Sequence, residues 1–92
     1  MDRAEFVQIC RALSVETRVR LLEALLLRPL CVNALAGRLE ITPAAVSQHL
    51  RVLRDAGVLI AEKKGYFVHY RVNPETLARW SAEMGAFLSP PE

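Results

Sequence analysis

The spacing of apolar residues changes at Gly57, and that change limits the chain to a small set of folds. N-terminal to Gly57 they recur every three or four residues, the period of helices; beyond it Val58-Leu59-Ile60-Ala61 is a β-prone run, and Tyr66, Val68, Tyr70 and Val72 alternate with Phe67, His69 and Arg71, the period of strands. Phe6, Val7, Ile9, Cys10 and Leu13 mark a first helix over 3–13. Ser14 reads as the N-cap of a second helix, with Glu16 in its first turn to suit the helix dipole. Val19, Leu22, Leu25 and Leu26 give that helix an apolar face, and Pro29 stops it. A short third helix over 32–39 turns Val32, Leu35, Ala36 and Leu39 inward. Thr42 and Pro43 open a fourth, with Thr as cap and Pro at the first position, where a missing N–H costs nothing. That helix runs over 43–56 and ends at Gly57, which tolerates the left-handed conformation.

Beyond Gly57, Val58 to Ala61 and Tyr66 to Val72 read as two strands around the charged turn Glu62-Lys63-Lys64-Gly65. Asn73 and Pro74 then cap a last helix over 74–88, striped by Leu77, Trp80, Met84 and Phe87. The tail from Ser89 to Glu92 has no element signal. The expected architecture is mainly α with a β-hairpin wing over 58–72: a single winged helix-turn-helix domain over 1–92, in the order four helices, hairpin, helix.

Composition sharpens this reading. A 92-residue domain buries only roughly 60–65% of the surface of its unfolded chain. Yet 52% of the residues are hydrophobic, so some apolar surface is expected to meet a second copy of the chain. The longest apolar stretch, Val19 to Leu30, is broken by Arg20, Glu23 and Arg28, and the N-terminus lacks a signal-peptide core; a cytoplasmic protein with no membrane partner is expected. The net charge of +2 is unevenly spread. Residues 42–71 carry Arg51, Arg54, Lys63, Lys64 and Arg71 against Asp55 and Glu62, whereas the rest of the chain is slightly acidic. A basic segment of this kind points to a polyanion.

Residues 12–72 resemble the ArsR/SmtB family of transcriptional regulators. The likeness is carried by Ala12-Leu13-Ser14-Val15-Glu16-Thr17-Arg18, by Leu30-Cys31-Val32, by the run from Ala45 to Gly57 with its Val46-Ser47-Gln48-His49-Leu50 core, and by Tyr70-Arg71-Val72. The resemblance implies a homodimeric repressor of a small operon, paired through its first and last helices, that lets go of DNA on meeting a metal ion, an oxidant or another signal. It also exposes two departures. Arsenic-sensing members carry Cys-x-Cys where this chain has Cys31-Val32-Asn33, and zinc-sensing members carry Asp and His on the last helix, where residues 74–88 have none. Neither usual inducer site is complete, and the inducer is left unassigned.

The expected DNA contacts are Pro43, Ala44, Ser47, Gln48 and Arg51, on the face of the fourth helix opposite Val46, Leu50 and Leu53, with Lys63 and Lys64 on the wing. Gln pairs with adenine, Ser with several bases, and Ala meets a thymine methyl, so such a face reads double-stranded DNA; a two-fold dimer reads an inverted repeat. Phe6, Ile9, Leu77, Trp80, Met84 and Phe87 are the expected dimer contacts. An enzyme is not expected. Ser47 and His49 stand two apart on a helix and point different ways, with no glycine-rich elbow beside them. No cofactor loop is present. His49 and His69 each lack a second ligand at helical spacing, so no metal site is assigned. Cys10 and Cys31, 21 positions apart, are read as reduced thiols, with two roles left open: small packed hydrophobes, or a thiol sensor.

Overall fold

A computed structural model describes residues 1–91; of the expected tail, Glu92 lies outside the described residues. Five helices and three short strands follow in the order α1 (Arg3–Ala12), α2 (Glu16–Leu27), β1 (Leu30–Cys31), α3 (Val32–Leu39), α4 (Pro43–Asp55), β2 (Leu59–Lys64), β3 (Phe67–Val72) and α5 (Pro74–Leu88). This is a winged helix-turn-helix: α3 and α4 form the helix pair, and β2 with β3 forms the wing.

Short polar side chains set three of the helix starts. Asp2, Thr42 and Asn73 accept the backbone N–H of Glu5, Ala45 and Thr76 at 2.8, 3.1 and 3.3 Å, each three residues on. The α2 start differs from expectation. Val15 is its N-cap and supplies no side-chain bond, while the Ser14 hydroxyl turns back to donate to the Arg11 carbonyl at 2.7 Å. Arg18 completes this corner from the other side: its Nε donates to the Ala12 carbonyl at 2.6 Å, satisfying an orphan acceptor at the end of α1. At the end of α4, Gly57 takes φ 81°, Val58 N–H reaches the Leu53 carbonyl and Gly57 N–H the Arg54 carbonyl. That is a Schellman cap, and its companion apolar contact falls to Val58 and Leu53, both fully buried. The turn between α3 and α4 uses a left-handed residue too, but there it is Glu40, at φ 58°.

One core serves the whole domain. Ile9 and Ala12 of α1, Leu21, Ala24 and Leu25 of α2, Leu35, Ala36 and Leu39 of α3, and Val46, Leu50 and Leu53 of α4 close on Val58 and Leu59. The buried face of α2 is therefore rotated from the expected one. Leu21, Ala24 and Leu25 point in, whereas Val19 and Leu26 are exposed. Periodicity alone allowed either stripe, because α2 is apolar on more than one side.

The sheet also differs from a plain hairpin. Leu30 and Cys31 pair with Tyr70 and His69, so the order is β1-β3-β2, all antiparallel. Residues paired across strands share a face. Leu30, Tyr70 and Ala61 form one row, flanked by Leu59 and Val72, on the side that meets the core; Cys31, His69 and Glu62 form a row on the other side. The turn is tighter than expected. Lys64 pairs with Phe67, leaving only Gly65 and Tyr66 at the tip, with Gly65 at φ 63° in the first central position, as a type II′ hairpin requires. Lys63 and Lys64 consequently stand at the end of β2 and not in the turn.

Candidate nucleic-acid interface

Helix α4 divides cleanly into two sides. Val46, Leu50 and Leu53 are fully buried, which fixes the rotation of the helix against α2 and α3. The opposite side presents Pro43, Ala44, Ser47, Gln48 and Arg51 to solvent, together with Arg54 and Asp55. The first two turns thus combine small side chains with a hydroxyl and an amide, and they let a second surface approach closely. The Thr42 cap and Pro43 hold the backbone there. At the far end, the Gln8 amide donates to the Asp55 carbonyl at 3.2 Å and ties α4 to α1.

The wing and α4 form one surface. An open depression of about 500 Å³ is lined by Ser47, Arg51, Arg54 and Asp55 of α4 and by Tyr70 of β3. Among the described residues, Arg51, Arg54, Lys63 and Lys64 make no ion pair, so their charge is available to an outside anion. Arg71 is different. Its Nε donates to Glu62 Oε1 at 2.6 Å, and the guanidinium beside it holds the Glu62 carboxyl below the usual carboxylate range, chiefly through that hydrogen bond. The pair removes one charge of each sign from the basic segment and leaves its net charge unchanged. Sequence reasoning missed Arg54 as a site residue; its place one turn beyond Arg51 on the exposed face was the signal that would have found it. Tyr70 was missed because nothing local tells which face of a wing strand borders α4.

The expected assembly residues separate into three groups. Phe6 and Met84 are half-buried and Phe87 is 71% exposed; Phe6 and Phe87 lie 5.7 Å apart, centre to centre. Phe6 and Phe87, with Met1, Val7 and Glu83, border a surface cavity of about 450 Å³ between α1 and α5. Leu77 and Trp80 are also half-buried, but they pack on the domain's own core. Ile9 is a correction: it has no exposed surface at all, because it is the residue of α1 that plugs the core. It has nothing left to offer a partner. Cys10 and Cys31 are both half-buried free thiols, one on α1 and one at the junction of β1 and α3. Among the described residues, no three His, Cys, Asp or Glu side chains converge as a metal cluster would.

Four-helix core, basic α4 face and paired wing together define a winged helix-turn-helix protein in which the second helix of the pair, α4, turns one side to solvent. Residues 15–61 match the family described as bacterial regulatory protein, arsR family. The chain is 37% identical over 79 residues to the arsenical resistance operon repressor of Escherichia coli strain K12, a match covering 85% of this chain and 67% of that one. It is 39% identical over 69 residues to the arsenic resistance transcriptional regulator ArsR1 of Pseudomonas putida, covering 73% of this chain and about half, 53%, of that one. Among solved structures, an ArsR-like transcriptional regulator from Rhodococcus sp. RHA1 superposes with a TM-score of 0.84 at 28% identity, over 91% of this chain and 79% of that one. The chain belongs to the ArsR family of bacterial transcriptional regulators. The relatives are regulators, not enzymes, and no described helix is long and apolar enough to cross a membrane.

Proposed function

We propose that this protein is a homodimeric, sequence-specific repressor that places α4 in the major groove of an inverted-repeat operator. The observation that carries the reading is the two-sided α4: a fully buried stripe that fixes its orientation, and an opposite face of Pro43, Ala44, Ser47, Gln48 and Arg51 that is small and polar at the N-terminal end and cationic further on. Gln48 and Ser47 are the base readers and Ala44 the methyl contact. Arg51, Arg54, Lys63 and Lys64 are the phosphate contacts that set register.

The dimer face in this reading is α1 with α5. Of the fifteen residues of α5, only Thr76 is buried. A 15-residue amphipathic helix so lightly covered by its own domain is well suited to pack against a second copy. Two such protomers related by a two-fold axis present two α4 helices about one DNA turn, ~34 Å, apart. The compartment in this reading is the cytoplasm, where the DNA of a bacterium lies. The inducer is not assigned; the arsenical signal in the relatives' names belongs to those proteins, and here the matching position of a second thiol is Asn33.

Selection from a library of random duplexes tests the reading. The full chain is expected to enrich a two-fold symmetric site with half-sites centred about 10 base pairs apart. Enrichment of no common sequence would overturn it.

A further inference from the structure

The tip of the wing holds side chains that phosphate contact alone does not explain. Tyr66 is fully exposed at the turn, and Phe67 and Val68 follow at 58% and 42% exposure. Three consecutive apolar side chains in water are unusual on a small surface and mark a contact. They are interleaved with charge. The strand register sets Lys64 beside Phe67 on one face of the ribbon and Lys63 beside Val68 on the other. Neither lysine is ion-paired among the described residues. Further down the same strand, Tyr70 borders the depression that α4 lines with Ser47, Arg51 and Arg54, so the tip continues the surface assigned to DNA.

A duplex offers this tip a complementary place. The minor groove beside a half-site has phosphates along both rims for the two lysines and sugars and base steps on its floor for a ring. We propose that Tyr66 is a minor-groove probe, which reads the flank of each half-site through the deformability of the step it presses on. The inference rests on the DNA-binding reading above. An apolar side chain pushed into the groove partly unstacks a base step, and the cost is least at pyrimidine–purine steps such as TA and CA. Tyr66 therefore adds preference at positions where no hydrogen bond reads the base. Phe67 and Val68 stiffen the ribbon behind it and exclude water from the contact.

The test uses the full chain and the duplex enriched by selection, with the flanking step set in turn to TA, CA, AA or GC. Binding is followed by fluorescence anisotropy at fixed salt. The unmodified protein is expected to prefer the TA flank over the AA flank by about tenfold, a difference of ~1.4 kcal/mol. Tyr66→Ala is expected to bring the two within about twofold, with the log–log salt slope unchanged because no cation is lost. Tyr66→Phe should keep the preference, since the ring and not the hydroxyl does the pressing. A 2-aminopurine placed in the flank should brighten with the unmodified protein and stay dark with Tyr66→Ala. Tyr66 is fully exposed, so its removal is expected to leave the fold intact, which circular dichroism checks. An undiminished flank preference in Tyr66→Ala overturns the inference and leaves the DNA-binding reading standing. If Tyr66→Ala alters the sedimentation coefficient and not the flank preference, the tip is a contact between copies and the inference fails. Absence of DNA binding by the unmodified chain would remove both.

Discussion

Arg79 reaches from α5 to Glu5 of α1 and donates through both terminal nitrogens, at 2.9 and 3.4 Å to the two carboxylate oxygens. The pairing raises the Arg79 guanidinium above its ordinary value, first by that hydrogen bond and then by charge. It joins residues 74 positions apart and sets α5 alongside α1, where Phe6 meets Phe87. Both partners are partly exposed, so the pair orients the two helices more than it stabilises them.

Assembly follows from that orientation. Phe87 is exposed in the protomer, so Phe87→Glu should leave folding intact and weaken association. A buried aromatic anchor at an interface contributes at least ~2 kcal/mol, about 30-fold in dissociation constant. Sedimentation velocity at micromolar concentration should show a dimer for the unmodified chain and mostly monomer for Phe87→Glu. A monomer in both would remove α5 from the interface.

The charge on the DNA face has its own readout. If Arg51, Arg54, Lys63 and Lys64 each meet a phosphate in both protomers, eight contacts form and the log–log salt slope is about −7. Changing Lys63 and Lys64 to Ala should bring it to about −4, with affinity falling on all sequences alike. An unchanged slope would take the wing off the DNA backbone.

The Arg71–Glu62 bond makes wing stability depend on pH in one direction. Because the folded Glu62 carboxyl titrates below the unfolded one, its contribution is complete above about pH 4.3, the ordinary Glu value, and fades as pH falls through the lower folded value. The difference in melting temperature between the unmodified protein and Glu62→Gln should be constant from pH 8 to pH 5 and close below pH 4. A gap that widens in acid would contradict the assignment.

The thiols enter through the sheet. Cys31 lies across from His69, whose Nδ1 is buried and without a hydrogen-bond partner among the described residues. A group added to the Cys31 sulfur would press on that seam between β1 and the wing. Methylthiolation is expected to lower DNA affinity about tenfold, ~1.4 kcal/mol, within the usual range of allosteric coupling. Cys31→Ser should be immune and Cys10→Ser should respond like the unmodified protein. Affinities within twofold throughout would make both thiols packing residues.

Much of this is legible in the amino-acid sequence. Thr42, Pro43, Asn73 and Gly57 are punctuation whose physics is local, so the bounds of α4 and α5 fell where these residues stand. The core side of α4 followed from three apolar residues at helical spacing with polar residues between. What stayed hidden was set by distant chain. Leu30 and Cys31 form a strand only because β3 offers them an edge, and two residues carry no periodicity. The α2 stripe was ambiguous because leucines occupy several of its faces, and packing against α3 and α4 selected Leu21 and Leu25. The sequence puts Ile9 with the interface residues because a helix used for pairing and one used for the core share the same pattern; only burial separates Ile9 from Phe6. Ser14 bonds backward to Arg11, a choice open to any serine between two helices.

If the exposed N-terminal half of α4 reads bases, the affinity ratio between the enriched duplex and a scrambled one depends on it. At physiological salt the unmodified protein should favour the enriched duplex by at least about 10³-fold. Gln48→Ala should cut that ratio by ~1–3 kcal/mol, roughly 5- to 150-fold, while binding the scrambled duplex as before. Equal affinity of the unmodified protein for both duplexes, or equal losses on both in Gln48→Ala, would contradict it.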